Sequence, residues 1–317
     1  MGESVEQSME AWSFTSLYKY KGKNVELSQQ QRREKFLEDQ KQKRHEVTDS
    51  NRNLCEDFLS ELHLQEEQME CDELEQPRKK IKYKLMQSEW FTDIPDDLEE
   101  NWLAKLCPQG FRVLFIAQNN KTIVSTEGRI ILNIQSNFPG GGGIESRGGI
   151  TILDCIFNRS TKTIFVLDCL FWNSMSMLDS EASFRFFWLK TKFNESPSLL
   201  NYKKYNFSLL EVLPAHRSLI QDKMFTLLSV GEQKYPYDGV VFYHKESNYT
   251  FGYTPLVAWL ASYMLPEKLH IDVSPENMFR RPKDYVCMET YLENLSKRKK
   301  LRYNSKQHKT NSQMETQ

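Results

Sequence analysis

Cysteine, glycine and proline are all scarce in this sequence, and no long apolar run is present. Among 317 residues there are 13 glycines, 11 prolines and six cysteines, and the cysteines form no C-x-x-C pair and no spacing with histidine. A zinc site or any other metal site is therefore not expected. The lack of a signal peptide and of a membrane-length apolar run predicts reduced thiols and no membrane insertion.

One sign of charge is also missing from two long stretches. Nine acidic and no basic residues lie between Glu56 and Glu75, whereas seven basic and no acidic residues lie between Lys297 and Lys309. From Lys19 to Arg44 there are nine basic and four acidic side chains, although the net charge of the chain is only −1. Such blocks are typical of arms that bind partners. The acidic block has no metal-loop spacing, and we expect a solvated linker there that shields the basic arm.

The patterning changes at about residue 85. Residues 1–84 are polar and almost free of strand patterning, and residues 295–317 are expected to be a disordered basic tail. Between them lie two helix-like pieces, at 184–193 and 218–230, and short runs rich in β-formers. These runs are FRVLFIA (111–117), RIILNI (129–134), ITILDCIF (150–157), TIFVLDCLFW (163–172), NFSLLEVL (206–213), DGVVFYH (238–244) and TPLVAWL (254–260). The irregular alternation predicts an α+β domain over 85–294 with a mostly antiparallel sheet.

A basic helix is predicted to follow Ser28. Ser28 and Gln31 have the spacing of a capping box, and the run after them favours helix. A helix charged nearly all round lacks an apolar face, so we expect it to be surrounded by a partner's carboxylates and not to dock on its own domain. A solvated helix or a nonspecific RNA-binding arm is the alternative. The basic residues are Arg32, Arg33, Lys35, Lys41, Lys43 and Arg44.

The first residues carry a separate hydrophobic pattern. Val5, Met9, Trp12 and Phe14 follow the spacing Φ-x3-Φ-x2-Φ-x-Φ. This spacing suits an amphipathic segment that lies in a hydrophobic groove, as nuclear-export peptides do. The same spacing also occurs by chance.

A damaged nucleotide-transfer motif lies before the first apolar strand of the domain. Enzymes that attach a nucleotide to their own lysine carry K-x-D-G-x-R, and Gly110 and Arg112 match its last conserved positions. Cys107 stands at the lysine and Gln109 at the aspartate. A cysteine cannot form the phosphoramidate of a lysine nucleophile.

Three further motifs of such enzymes follow in the expected order. They resemble TILDCIF (151–157), DGVVFYH (238–244) and LVAWL (256–260), where Ala258 and Leu260 replace two phosphate-neutralising lysines. The order predicts a pocket that binds a guanine nucleotide without reacting with it. Trp259 and Trp90 are candidates to stack on the base, for about 1–3 kcal/mol per base. Cation–π attraction to an N7-methylguanine would add about 0.5–2 kcal/mol. Core packing is the alternative for both indoles.

Together these residues resemble the snurportin family. The resemblance rests on RREKFLEDQKQKR, SEWFTDIPDDL, CPQGFR, FPGG, TILDCIFN, FRFFW, DGVVFYHK and TPLVAWL. It implies a nuclear import adaptor, with an mRNA-guanylyltransferase-like domain (85–294) that binds the 2,2,7-trimethylguanosine cap of spliceosomal small nuclear RNAs. A largely extended importin-β-binding arm (17–55) would precede a disordered linker (56–84), and residues 1–16 would bind the exportin that recycles the adaptor. A monomer without cofactor or catalysis, shuttling between cytoplasm and nucleus, is the corresponding expectation.

The resemblance also implies a set of cap-contacting residues. Ser88 and Trp90 would line the methylated base, and Trp259 with Leu260 would form the stacking wall. Further contacts would come from the strand of the former nucleophile, namely Cys107, Phe111, Arg112 and Val113. Thr126 stands where the family has a phosphate-contacting lysine, two residues before Gly128, and Lys121 or Arg129 could substitute for it.

Two other functions remain open at this point. An active RNA guanylyltransferase or ligase would need a lysine that the motif lacks. An import adaptor without any RNA function would not depend on Trp259.

Overall fold

The computed structural model describes residues 28–46, 85–126, 129–144, 146, 148–200 and 204–298. The predicted export segment (1–16) lies outside the described residues. So do the whole acidic linker (56–84), parts of the predicted arm (17–27 and 47–55) and most of the predicted tail (299–317).

The chain folds into short helices and many strands. The helices are α1 (Gln29–Glu46), α2 (Leu98–Asn101), α3 (Ala182–Glu195), α4 (Arg217–Met224), α5 (Leu265–Leu269) and α6 (288–298). The first seven strands are β1 (Met86–Trp90), β2 (Trp102–Pro108), β3 (Phe111–Gln118), β4 (Lys121–Thr126), β5 (Arg129–Ile134), β6 (Thr151–Asn158) and β7 (Thr163–Trp172). The others are β8 (Met175–Ser176), β9 (Asn206–Leu209), β10 (Leu213–Pro214), β11 (Leu228–Val230), β12 (Gln233–Tyr235), β13 (Tyr237–His244) and β14 (Gly252–Ala261). None of these helices is long and apolar enough to cross a membrane.

Two larger sheets form the body. One has the order β1-β14-β13-β2-β10, and the other runs β5-β4-β3-β6-β7-β8 with β9 added beside β7. Every pair in them is antiparallel except β1 with β14 and β7 with β9. The predicted α+β class with mostly antiparallel sheets is therefore confirmed.

Helix α1 begins with the predicted capping box. The Ser28 amide donates to Gln31 Oε1 at 3.0 Å, and the Gln31 amide donates to Ser28 Oγ at 3.2 Å. This reciprocal pair satisfies two amides that have no partner inside the helix. The start of the helix could thus be predicted to the residue.

Two predicted boundaries differ from the structure. The helix predicted over 218–230 ends at Met224, and Leu228–Val230 instead pairs with β12 in a hairpin. Gly231, with a φ of 59°, lies at the turn of this hairpin and adopts the left-handed conformation that glycine tolerates best. At the other end of the domain, α6 runs to residue 298, which is beyond the predicted boundary at 294. It packs Tyr291, Leu292 and Leu295 on the core.

A polar seam of buried charged side chains lies inside the apolar interior. Arg185 of α3 donates to both carboxylate oxygens of Asp168 at 2.9 and 2.8 Å, and both side chains are fully buried. Lys105 of β2 reaches across to the carbonyl of Leu167 in β7 at 2.6 Å. Arg112 and Asp154 form a second buried ion pair. These charges tolerate burial because each has close partners of good geometry.

We expect Arg185→Ala to lower the free energy of unfolding by about 3–5 kcal/mol, because the carboxylate of Asp168 would stay buried without its partner. Urea denaturation of the two proteins measures the difference. The matched control is Lys223→Ala, which breaks an exposed pair with Glu211 and should cost at most about 1 kcal/mol. A loss in Arg185→Ala no larger than that of the control would show that this buried ion pair does not stabilise the domain.

Candidate functional site

The two tryptophans predicted to contact a base are neighbours in one sheet. Trp90 pairs with Trp259 across the parallel strands β1 and β14. Both are packed away from solvent, with exposures of 3% and 0%. Tyr291 of α6 packs its ring edge-to-face on Trp90, with centroids 6.1 Å apart. The structure thus brings the predicted pair together and covers it.

Gly239, in the DGVVF motif, makes room for Trp259. A Cβ added at Gly239 would lie 2.5 Å from Cζ2 of the Trp259 indole, which is too close for any side chain. The glycine of this motif therefore sets the position of the indole. Asp238 beside it forms an ion pair with Arg280 at 2.9 Å.

Ser88 lies on β1, the strand of Trp90, and has an unsatisfied polar group. Its hydroxyl is buried, with 1% of the residue exposed, and has no hydrogen-bond partner among the described residues. Leaving a buried hydroxyl unpaired costs about 1–3 kcal/mol. A ligand that reached this point of β1 would recover that cost.

The position of the lost nucleophile is closed. Cys107 is fully buried in β2, opposite Gly239, and its Sγ lies 3.6 Å from the carbonyl of Lys105. Burial raises the pKa of the Cys107 thiol far above its usual range. At neutral pH the group is a neutral thiol, which is neither a nucleophile nor a cation for phosphate.

Arg112 is engaged inside the protein. Its Nε and Nη2 donate to Asp154 at 2.9 and 2.5 Å, and Tyr249 donates to the same carboxylate at 2.8 Å. Val113, the next residue, packs in the core cluster on the other face of β3. Leu260 is fully buried, whereas Phe111 at the start of β3 is partly exposed.

Thr126 lies in the other sheet from the two indoles. It is the last residue of β4, which lies between β3 and the edge strand β5, and it is opposite Arg129 and partly exposed. Lys121 and Arg129, the alternative phosphate contacts, are both exposed. Gly128, the reference for this alignment, falls outside the described residues.

The expectation that α1 cannot dock on its own domain is wrong. Gln29, Arg33 and Gln40 are buried against the domain, and Arg32 forms an ion pair of 2.5 Å with Glu89. Docking is possible without an apolar face because aromatic rings and carboxylates on the domain accept the polar side chains. Of the remaining predicted basic residues with described side chains, Lys41 lies 3.6 Å from Glu246, and Lys35 and Lys43 are exposed. The side chain of Arg44 falls outside the described residues.

Sequence reasoning missed the charged groups of the seam. Lys105, Asp154, Asp168 and Arg185 all stand inside strongly apolar stretches of strand or helix. A single charge within such a stretch is the signal that could have identified them, since a buried charge requires a partner.

Two family descriptions match this chain. The one described as Snurportin1, m3G cap-binding domain, covers residues 84–262, which is more than half of the chain. The chain belongs to the snurportin family. A second description, Snurportin1, matches residues 16–53, the region that contains α1. This snurportin therefore matches the family both over its body and over the region of α1.

Solved structures similar to this snurportin include DNA ligases. The ligase domain of M. tuberculosis LigD is 13% identical over 56% of this chain and 58% of the ligase chain, with a TM-score of 0.38. The Chlorella virus DNA ligase–adenylate is 11% identical over 56% and 69% of the two chains, with a TM-score of 0.37. This chain thus spans less than two thirds of the LigD ligase domain. At these scores, no ligase role carries over to the snurportin.

Proposed function

We propose that the chain is a shuttling, non-catalytic adaptor that holds a trimethylguanosine cap beside Trp90 and Trp259 and links the ribonucleoprotein to importin-β. The observation that carries the proposal is the presence of both family segments in one chain, at residues 16–53 and 84–262. Cys107 stands where a guanylyltransferase or ligase has its nucleophilic lysine. The absence of that amine supports an adaptor over either enzyme.

The proposed cap site lies at the β1–β14 pair. Two indoles in register can hold a methylated base by stacking and cation–π attraction. Ser88 offers a buried hydroxyl that has no partner within the described part of the chain. Because Trp259 has no exposed surface, the base can reach its ring only if neighbouring side chains move apart. Tyr291, which packs on Trp90, is a group that would have to move.

Trp259→Ala should weaken binding of a trimethylguanosine cap dinucleotide by about 5- to 150-fold, which corresponds to the roughly 1–3 kcal/mol of one base stack. Fluorescence titration with trimethyl, monomethyl and unmethylated dinucleotides measures this loss and the preference for the methylated base. Trp188→Ala is the matched control, since Trp188 lies on α3, which packs on the other sheet. Unchanged cap affinity in Trp259→Ala would reject the proposed stacking wall.

The non-catalytic role predicts that no covalent nucleotide adduct forms. Incubation with labelled GTP or ATP and magnesium, followed by denaturation, should leave the protein unlabelled. Cys107→Lys tests whether restoring the amine suffices, and we expect no labelling there either, because two phosphate-neutralising lysines are also lost at Ala258 and Leu260. A denaturation-stable adduct on the unaltered chain would establish the enzyme instead.

We further propose that residues 1–16 bind a nuclear exportin and that the chain acts as a monomer in both compartments. The basis is the spacing of Val5, Met9, Trp12 and Phe14. Replacing all four by alanine should shift a fluorescently tagged chain towards the nucleus, whereas alanine at Gln7 and Ser8 should not. Equal distributions of the two variants would remove the export segment from the proposal, and sedimentation as a dimer would remove the monomer.

A further inference from the structure

Helix α1 packs on a surface of the cap-binding domain that matches it group by group. Nε2 of Gln29 donates to Glu89 and to the carbonyl of Trp90, both at 3.0 Å. Its Oε1 accepts from the amide of Asp93 at 3.1 Å and from the hydroxyl of Thr92 at 3.3 Å. One glutamine thus makes four hydrogen bonds to a single segment of the domain.

Arg33 enters an aromatic site next to this segment. Its guanidinium carbon lies 5.0 Å from the ring centre of Phe91 and 5.1 Å from that of Trp102, and Nη2 donates to the carbonyl of Asp93 at 2.9 Å. Only 3% of the residue is exposed. A guanidinium within about 6 Å of two ring centres gains cation–π attraction.

The far end of the helix is held as well. The amide of Asn248 donates to Oε1 of Gln40 at 3.0 Å, and Lys41 lies 3.6 Å from Glu246. The contacts therefore extend from the first turn of α1 almost to its last. A surface that meets one helix at both ends with complementary charge is a binding site for that helix.

This site excludes the use of α1 by another protein. Residues 16–53, which contain α1, match the importin-β-binding segment. A receptor that surrounds the helix must reach Gln29, Arg33 and Gln40, which the domain buries. The two bound states cannot coexist, so the domain and importin-β compete for the same helix.

The contact is also incompletely satisfied. Nε and Nη1 of Arg33 and Nε2 of Gln40 are buried with no hydrogen-bond partner within the described part of the chain. Burial lowers the pKa of Arg33 to about 10, so the guanidinium is still charged at neutral pH. A receptor that pairs these donors gains over the intramolecular site. The helix is thus held by a contact that a better partner can replace.

Strand β1 connects this helix site with the proposed cap site. Glu89 and the carbonyl of Trp90 hold α1, while Ser88 and the indole of Trp90 belong to the proposed cap site. The amide of Phe91 also donates to the carbonyl of Trp259 at 3.0 Å. Opening the buried indoles to a base therefore acts on the strand whose Glu89 and Trp90 hold the helix.

We propose that the surface around Glu89, Phe91, Trp102 and Glu246 is an intramolecular site for the importin-β-binding helix. Binding of capped RNA weakens the contact between this site and the helix through strand β1. The second part rests on the proposed cap site. Coupling of this kind is reciprocal, because a ligand that raises the affinity for a second one is itself bound more tightly in its presence.

The first experiment tests the helix site alone, in the full chain. Glu89→Lys places a positive charge against Arg32, so hydrogen exchange of the α1 amides should accelerate and importin-β should bind about fivefold or more tightly. Glu246→Lys, at a partly exposed position beside Lys41, should act in the same direction and serves if Glu89→Lys does not fold. Glu211→Lys is the matched control, since Glu211 pairs with Lys223, and should change neither quantity.

Two results would overturn the helix site. Unchanged exchange of α1 in both variants would mean that this surface does not hold the helix. Faster exchange with unchanged importin-β affinity would mean that docking does not compete.

The second experiment measures the coupling with a trimethylguanosine cap dinucleotide. At a saturating concentration, the dinucleotide should raise the affinity of the chain for importin-β. Importin-β should raise the affinity of the chain for the dinucleotide by the same factor. A dinucleotide that binds without changing the importin-β affinity would refute the coupling and leave cap binding intact. A dinucleotide that does not bind would instead refute the proposed cap site.

Discussion

Strand β1 lies between the helix site and the proposed cap site, and its residues are largely buried. It is an edge strand whose backbone pairs only with β14 among the described strands. That pairing is parallel, and it places Trp90 in register with Trp259. On its other side, Glu89 accepts from Gln29 and Arg32 of α1. A strand with one neighbour in its sheet is easier to displace than a central strand, so β1 can respond to both the helix and a ligand.

The buried ion pairs and the packing give the nucleotide-transfer motifs of this chain a structural role. Arg112, from the remnant of the nucleophile motif, is tied to Asp154 of the TILDCIF motif. Gly239, from the DGVVF motif, provides the space that Trp259 fills. Each residue has a packing or charge-pairing role that would select for it even without a substrate phosphate. Retained motifs in this chain therefore indicate shared architecture, whereas the lysines lost at Cys107, Ala258 and Leu260 bear on the chemistry.

Much of the fold could be predicted from local sequence, because local rules govern it. The strands around Phe115 and Val166 follow from apolar runs rich in β-formers, and the start of α1 follows from Ser28 and Gln31. The docking of α1 could not be predicted, since hydrophobic periodicity does not register contacts between a guanidinium and aromatic rings. For Trp259 the sequence left base stacking and core packing both open, because it marks an indole but not whether the fold covers it.

The chemistry of the helix contact suits a segment that must leave its site. An apolar stripe on α1 would bury tightly on the domain and would also need to be hidden after release, since exposed apolar patches associate nonspecifically. Side chains such as Arg33 and Gln29 are solvated well by water when the helix is free, so release of the helix exposes no apolar stripe. The same ionic character makes the contact sensitive to salt, whereas the stacking of a base on Trp259 is not governed by Coulomb attraction between opposite charges. Raising the ionic strength should therefore weaken the docking of α1 on the domain more than it weakens the binding of a base at the proposed cap site.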